Sequence, residues 1–221
     1  MVHADDKEIR ARARLAGFLY LAVNAVYIAS LLASTAASEA IRRPAVALQP
    51  IATAATIALA WSLYELLKGV SPGLALMALL FRVAEAALFG VTVIFSVMLL
   101  GGEAAGPSGL DSAGLALARS AQSASGQVGQ IYFCVGSAIF FFLLMKSGFI
   151  PRAVAAFGLV ATIVWLASAL VQIGAPAVAR YFAFSGPVFL LAETVTGLWL
   201  LIAGAKRREA SPAVRGPSAP G

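Results

Sequence analysis

The sequence predicts an all-α membrane protein, a polytopic bundle of six transmembrane helices, and three observations carry that prediction. Hydrophobic residues make up 61% of the 221 and charged residues 12%, whereas about a quarter of a soluble domain is charged; the mean hydropathy is +0.90. The apolar residues gather into six runs, 15–35, 46–67, 74–100, 128–145, 153–174 and 181–205, that hold few charges. Each is close to the ~20 residues a helix needs to cross about 30 Å of hydrocarbon. Finally, none of the runs alternates polar with apolar residues, as the ~10-residue strands of a membrane β-barrel do.

Taken in order, residues 1–14 are a charged leader whose mixed signs suit an interfacial helix leading into the first span. That span resembles a signal peptide in its basic leader and trailing small residues. Its apolar part is longer than the ~7–15 residues of a signal h-region, and Asp5, Asp6 and Glu8 precede it, so it reads as a retained helix. Pro44 and Pro50 bracket the entry to the second span, where Pro50 fits a first helical turn. Gly69, Ser71, Pro72 and Gly73 form a tight turn that makes spans two and three antiparallel neighbours. The segment 101–127 is rich in Gly, Ser and Ala, and its apolar stretch Leu110 to Leu117 suits either a short lid helix or a mobile loop. A Gly-Phe-Ile-Pro turn joins spans four and five. Beyond the sixth span Lys206, Arg207 and Arg208 stop transfer, and the Ser/Pro/Gly-rich 206–221 is expected to be a disordered tail.

The formal charge of +6 is distributed as in an inner-membrane protein. With the N-terminus inside, eleven Lys and Arg fall on inner segments (Lys7, Arg10, Arg12, Arg14, Lys68, Lys146, Arg152, Lys206, Arg207, Arg208 and Arg215) and four on outer ones (Arg42, Arg43, Arg119 and Arg180). That bias places both termini in the cytoplasm of a bacterial cell and makes the basic clusters anchors to anionic headgroups, with no nucleic-acid partner. The single histidine, His3, and the single cysteine, Cys134, exclude a histidine-held haem, a His-dependent triad, an intrachain disulfide and a Cys- or His-built intramembrane metal site. No cofactor is expected.

Two spans carry charge where lipid is the expected solvent. Arg82 and Glu85 lie one helical turn apart in the third run, and Glu193 is central to the sixth. A charge at the bilayer centre costs at least about 2.5–3.5 kcal/mol, so these residues are functional candidates by placement alone. Depths agree as well: Glu85 lies about 16 Å into its span and Glu193 about 18 Å from either end of its own. One arginine with two glutamates leaves a surplus negative charge, so one carboxyl pairs with Arg82 while the other carries a proton or meets a cation. Asn24 on the first span, between Tyr20 and Tyr27, and Gln130 on the fourth, with Gln127, Cys134 and Ser137, complete the candidate ligand or proton site. Polar stripes on all six spans, facing inward, would surround a partly hydrated core; for the Ser and Thr positions close helix packing with weak interhelical hydrogen bonds is the favoured reading. Glu65, three residues before Lys68, reads as half of an ion pair at the inner interface.

The stretch Tyr64-Glu65-Leu66-Leu67-Lys68, the Phe81-Arg82-x-x-Glu85 core within Leu74 to Phe89, the segment Lys146-Ser147-Gly148-Phe149-Ile150-Pro151-Arg152 and Glu193 together resemble the bacterial membrane family called domain of unknown function 4386. The likeness runs over about residues 10–205, and it implies a six-span inner-membrane domain with no established activity. Members often carry a His or Asp near the start of span four, where this chain has Ser125, Gln127 and Gln130.

Three functions compete. A pocket for a small lipophilic molecule, an isoprenoid or lipid, would use the protonated carboxyl as acid and Arg82 to orient its partner, with Tyr20, Tyr27, Phe89, Tyr132 and Trp165 lining it. A proton- or cation-coupled transporter would need the same carboxylates and alternating access. In a non-catalytic accessory or regulatory subunit the charges would only fix helix register. The first is the expectation carried forward.

Overall fold

The structure, a computed structural model, describes residues 2–34, 38–104 and 109–205. The tail expected over 206–221 lies outside the described residues. Six long helices account for most of the chain: α1 (Val2–Ser34), α2 (Glu39–Leu67), α3 (Pro72–Ala104), α4 (Ser112–Ser147), α5 (Arg152–Gly174) and α6 (Ser185–Ile202). All six are long and apolar enough to cross a membrane, and they leave many large apolar side chains exposed, among them Ile51, Trp61, Leu80, Ile163, Leu170 and Ile202. This is a multi-pass integral membrane protein. Its exposed side chains suit lipid, not water.

Each helix packs on its neighbours in the chain, and α6 returns to α1, so the bundle closes into a ring; α2 also touches α4 across it. At one end, here the basic end, lie Arg12, Lys68, Lys146 and Arg152. There Glu65 accepts from Lys68 Nζ at 2.7 Å and from Arg12 Nη1 at 2.6 Å, and Arg12 also reaches Glu8. The expected pair is thus a network joining α1 to α2. Leu59, Leu63, Leu67, Phe140, Phe141, Leu143, Leu144 and Leu200 fill the interior on this side.

Seams between helices are built on missing side chains. A Cβ on Gly17 of α1 would lie 2.6 Å from the carbonyl oxygen of Gly197 on α6 and 2.5 Å from Leu201 N. On α5, Gly158 receives the ring of Phe141. Without a hydrophobic drive between helices in lipid, close backbone approach of this kind supplies the association energy.

The helices outrun the apolar runs, and the sequence expectations need correcting in three places. The segment 101–127 forms neither a separate lid helix nor a loop throughout: from Ser112 it is the first part of α4, capped by the Asp111 carboxylate, which accepts from Gly114 N at 2.7 Å. Its polar side is satisfied by α3, where Ser125 meets Thr92 at 2.8 Å and Gln122 donates to Ser96 at 2.7 Å. Second, Pro50 does not open a helix; both Pro44 and Pro50 lie inside α2, a placement that membrane helices tolerate because neighbours re-satisfy the freed carbonyls. Third, the sixth span begins at Ser185 instead of 181, since Pro176–Phe182 form a 3-10 turn.

Hydroxyls within the spans are satisfied locally. Thr53, Thr56, Ser62, Thr162, Thr194 and Thr196 each donate to the carbonyl four residues back on their own helix. A hydroxyl satisfied that way needs no hydrated core.

Candidate functional site

One polar layer interrupts the apolar interior. Arg82 is 4% exposed, Glu85 2%, Glu193 5% and Asn24 6%. Counted from Arg12 on α1, from the start of α3 and from the end of α6, they sit about 14–20 Å along their helices, so α1, α3 and α6 deliver them to one depth.

On α3 the three-residue spacing puts Arg82 and Glu85 on one face, and Ala78 and Ala86, both buried, keep that face shallow. Helix α4 can therefore come close. A Cβ on Gly136 would stand 3.1 Å from Arg82 Cγ and Cδ and 3.2 Å from the Ala78 carbonyl oxygen, so this glycine makes the slot in which the arginine stem lies. The guanidinium then has three partners. Its Nη1 is 3.0 Å from Glu85 Oε2, Nη1 donates to Ser137 Oγ at 3.3 Å, and its Cζ sits 4.1 Å from the centroid of Phe133. A guanidinium over an aromatic face is held by the ring quadrupole, more strongly where water is excluded.

Behind Phe133 stands an aromatic stack shared by α4, α5 and α6. Trp165 and Phe189 stack at 4.6 Å, and Phe133 meets them edge-on, each at 5.1 Å. These contacts fix the ring that holds Arg82 in place.

Glu193 enters from α6. It lies within electrostatic reach of Arg82, which attracts it, and of Glu85, which repels it, and Asn24 on α1 faces it. Tyr20, 2% exposed, lies in reach of both Glu193 and Arg82. Tyr27, half exposed, is in reach of Glu85 and packs edge-on against Phe89 at 6.2 Å. Two buried atoms in this layer have no hydrogen-bond partner: Asn24 Nδ2, a donor, and Glu85 Oε2, an acceptor. Asn24 thus faces Glu193 without the geometry of a hydrogen bond. Glu85 Oε2 makes an ion pair with Arg82 without the alignment of one.

Of the five candidates named from the sequence, the structure brings Arg82, Glu85, Glu193 and Asn24 into one layer. Gln130 is engaged elsewhere: its Nε2 donates to the Trp165 carbonyl at 3.3 Å, tying α4 to α5. Sequence reasoning missed Phe133 and Gly136. Their only signal was their spacing on the face of α4 that also carries Ser137. Among the described residues no group of three or more His, Cys, Asp or Glu side chains is placed to hold a metal ion.

Chemically, the layer holds one cation and two carboxyl groups in a setting that excludes water. With Glu85 against Arg82, the second carboxyl has no cation of its own, and burying it ionised costs several kcal/mol. A proton, a cation or a polar ligand group at Glu193 would relieve that cost.

A family model described as Domain of unknown function (DUF4386) matches residues 13–204. No curated protein and no solved structure matches the chain.

Proposed function

The chain belongs to the DUF4386 family, and from that premise we propose that it is a membrane-embedded binding protein whose buried layer takes the polar group of a small lipophilic molecule. The observation that carries this reading is that Asn24 Nδ2 and Glu85 Oε2 are buried without an aligned hydrogen bond, although Asn24 faces Glu193 and Glu85 pairs with Arg82. Buried polar groups are ordinarily hydrogen-bonded with good geometry. A donor and an acceptor in one layer suit a hydroxyl, amide or amine on an otherwise apolar molecule. Glu193, beside them, would hold a proton or accept one from the ligand, and Arg82 would keep Glu85 ionised. Acid-base chemistry on the ligand is compatible with this arrangement, and proton- or cation-coupled transport would draw on the same two carboxyls.

A second reading, in which the charges only set helix register, draws support from the close fit of Arg82 among Gly136, Ser137 and Phe133. Native mass spectrometry of the detergent-purified protein separates the two. Binding predicts a copurifying small molecule that is lost from Glu193→Gln and Asn24→Ala while both variants stay folded. Identical spectra from all three proteins, with no adduct, would leave the register reading.

For location, the eleven-to-four basic asymmetry supports a bacterial inner membrane with both termini cytoplasmic. The basic end of the bundle would then face the cytoplasm.

A further inference from the structure

The segment that made the sequence most recognisable, Lys146 to Arg152, takes no part in the buried layer. It builds a cavity instead. Gly148 caps α4 in the left-handed region at φ 70°, a conformation that suits a residue without Cβ. The chain then turns at Pro151 straight into α5. Between the turn 148–152 on one side and Trp199, Ala203 and Gly204 on the other lies a pocket of about 420 Å³, within the size range of small-molecule sites.

We propose that this pocket is a binding site for an anionic phospholipid, with the phosphate at Arg152 and Arg10 and the glycerol and upper acyl carbons against Phe149, Ile150 and Trp199. Four observations support this. The pocket sits at the end of α4 and α6 and the start of α5, where a bilayer would have its headgroups. Its walls are apolar and aromatic, and Arg152 stands at its edge. The stem of Arg10 on α1 runs past Gly204, its Cγ about 3.6 Å from where a Cβ would be, so a second arginine is anchored beside a residue that lines the pocket. Lastly, Arg152 is the first residue of α5, whose first turn has no acidic residue and whose N-cap, Pro151, makes no side-chain bond. A cation there opposes the helix dipole, where an anion is the favoured occupant. A bound phosphate would answer both the arginine and the uncapped N–H groups. Basic pockets between membrane helices take anionic headgroups in this way, and tryptophan at the interface holds the lipid's apolar part.

The test is a lipid titration of the purified full chain by native mass spectrometry, with dioleoylphosphatidylglycerol and dioleoylphosphatidylcholine added in parallel. Phosphatidylglycerol should bind at least tenfold more tightly. Arg152→Gln and Arg10→Gln should each weaken it about fivefold and leave phosphatidylcholine unchanged, and Arg180→Gln, at the opposite end, should have no effect. Both arginines are exposed, so melting temperatures in phosphatidylcholine nanodiscs should match the parent protein. Equal binding of the two lipids overturns the proposal without recourse to any variant. It is equally overturned if Arg180→Gln costs as much as Arg152→Gln, or if glycerol phosphate or inorganic phosphate at millimolar concentration displaces the lipid, which would mark the pocket as a site for a soluble phosphate.

Discussion

Gly17 of α1 and Gly197 of α6 meet backbone to backbone, so closely that a methyl group on either would enter the other helix: a Cβ on Gly197 would be 3.3 Å from the Gly17 carbonyl oxygen and 2.9 Å from Tyr20 Cβ. This contact closes the ring beside the buried layer.

Gly17→Val and Gly197→Val should therefore each destabilise by about 1–3 kcal/mol, because overpacking a tight seam forces backbone shifts. Gly90 on α3 has open space around it, and Gly90→Ala should leave the melting temperature in detergent unchanged. A smaller loss from the seam variants than from Gly90→Ala would show that the α1–α6 contact does not hold the bundle together.

Arg82→Ala should be far more damaging than Glu193→Gln. Removing one partner of a buried pair costs about 3–5 kcal/mol, since it leaves Glu85 as an uncompensated charge, whereas glutamine imitates a protonated carboxyl in shape and hydrogen bonding. Thermal unfolding of the two variants in one detergent measures the difference. Adding Glu85→Gln to Arg82→Ala should recover part of the loss, because the charge that was stranded is then gone.

The network of Arg12, Glu65 and Lys68 should matter much less, although its distances are shorter. Arg12 and Lys68 are each more than a third exposed, so solvent and salt screen them, and exposed pairs give about 0.2–1 kcal/mol. Glu65→Gln should shift the melting temperature slightly at low ionic strength, with the shift fading as salt is added. A large shift that salt does not alter would mean that Glu65 is held for another purpose.

Orientation is settled by reporter fusions. Alkaline phosphatase should be active when fused after Ser112 and inactive when fused after Lys206. Activity at the second site would invert the topology and put the lipid pocket in the other leaflet.

The spans and the three charged residues within them were legible because both follow from one-dimensional facts: the length of an apolar run, and a charge placed inside it. Spacing on a helix also shows which residues share a face, and so it joined Arg82 to Glu85. It does not show which helix that face meets. Ser137 and Phe133 stand over fifty residues from Arg82, and only the closeness allowed by Gly136 makes them its partners. Nor does spacing show that Gln130 meets the Trp165 backbone, over thirty residues away on α5. Helix ends were hidden too. The first half of α4 has the Gly, Ser and Ala content of a loop, and it is helical because Ser125 and Gln122 find Thr92 and Ser96 on α3.

The order of helices around the ring also bears on how the protein is made. Five of its six seams join consecutive helices, so each can form as soon as the second helix of the pair has entered the membrane. Arg82 follows that schedule, meeting Glu85 within its own helix and Ser137 on the next. Its charge is compensated before the last third of the chain is inserted. The seam between α1 and α6 is different, because the first helix must keep Asn24 and the bare backbone at Gly17 available until the last arrives. Glu193 comes in on that last helix, so the second carboxyl is buried only at the step that completes the ring. Assembly and the filling of the polar layer are then a single event, and a change at Gly17 or Gly197 reaches the carboxyl chemistry by delaying or preventing closure.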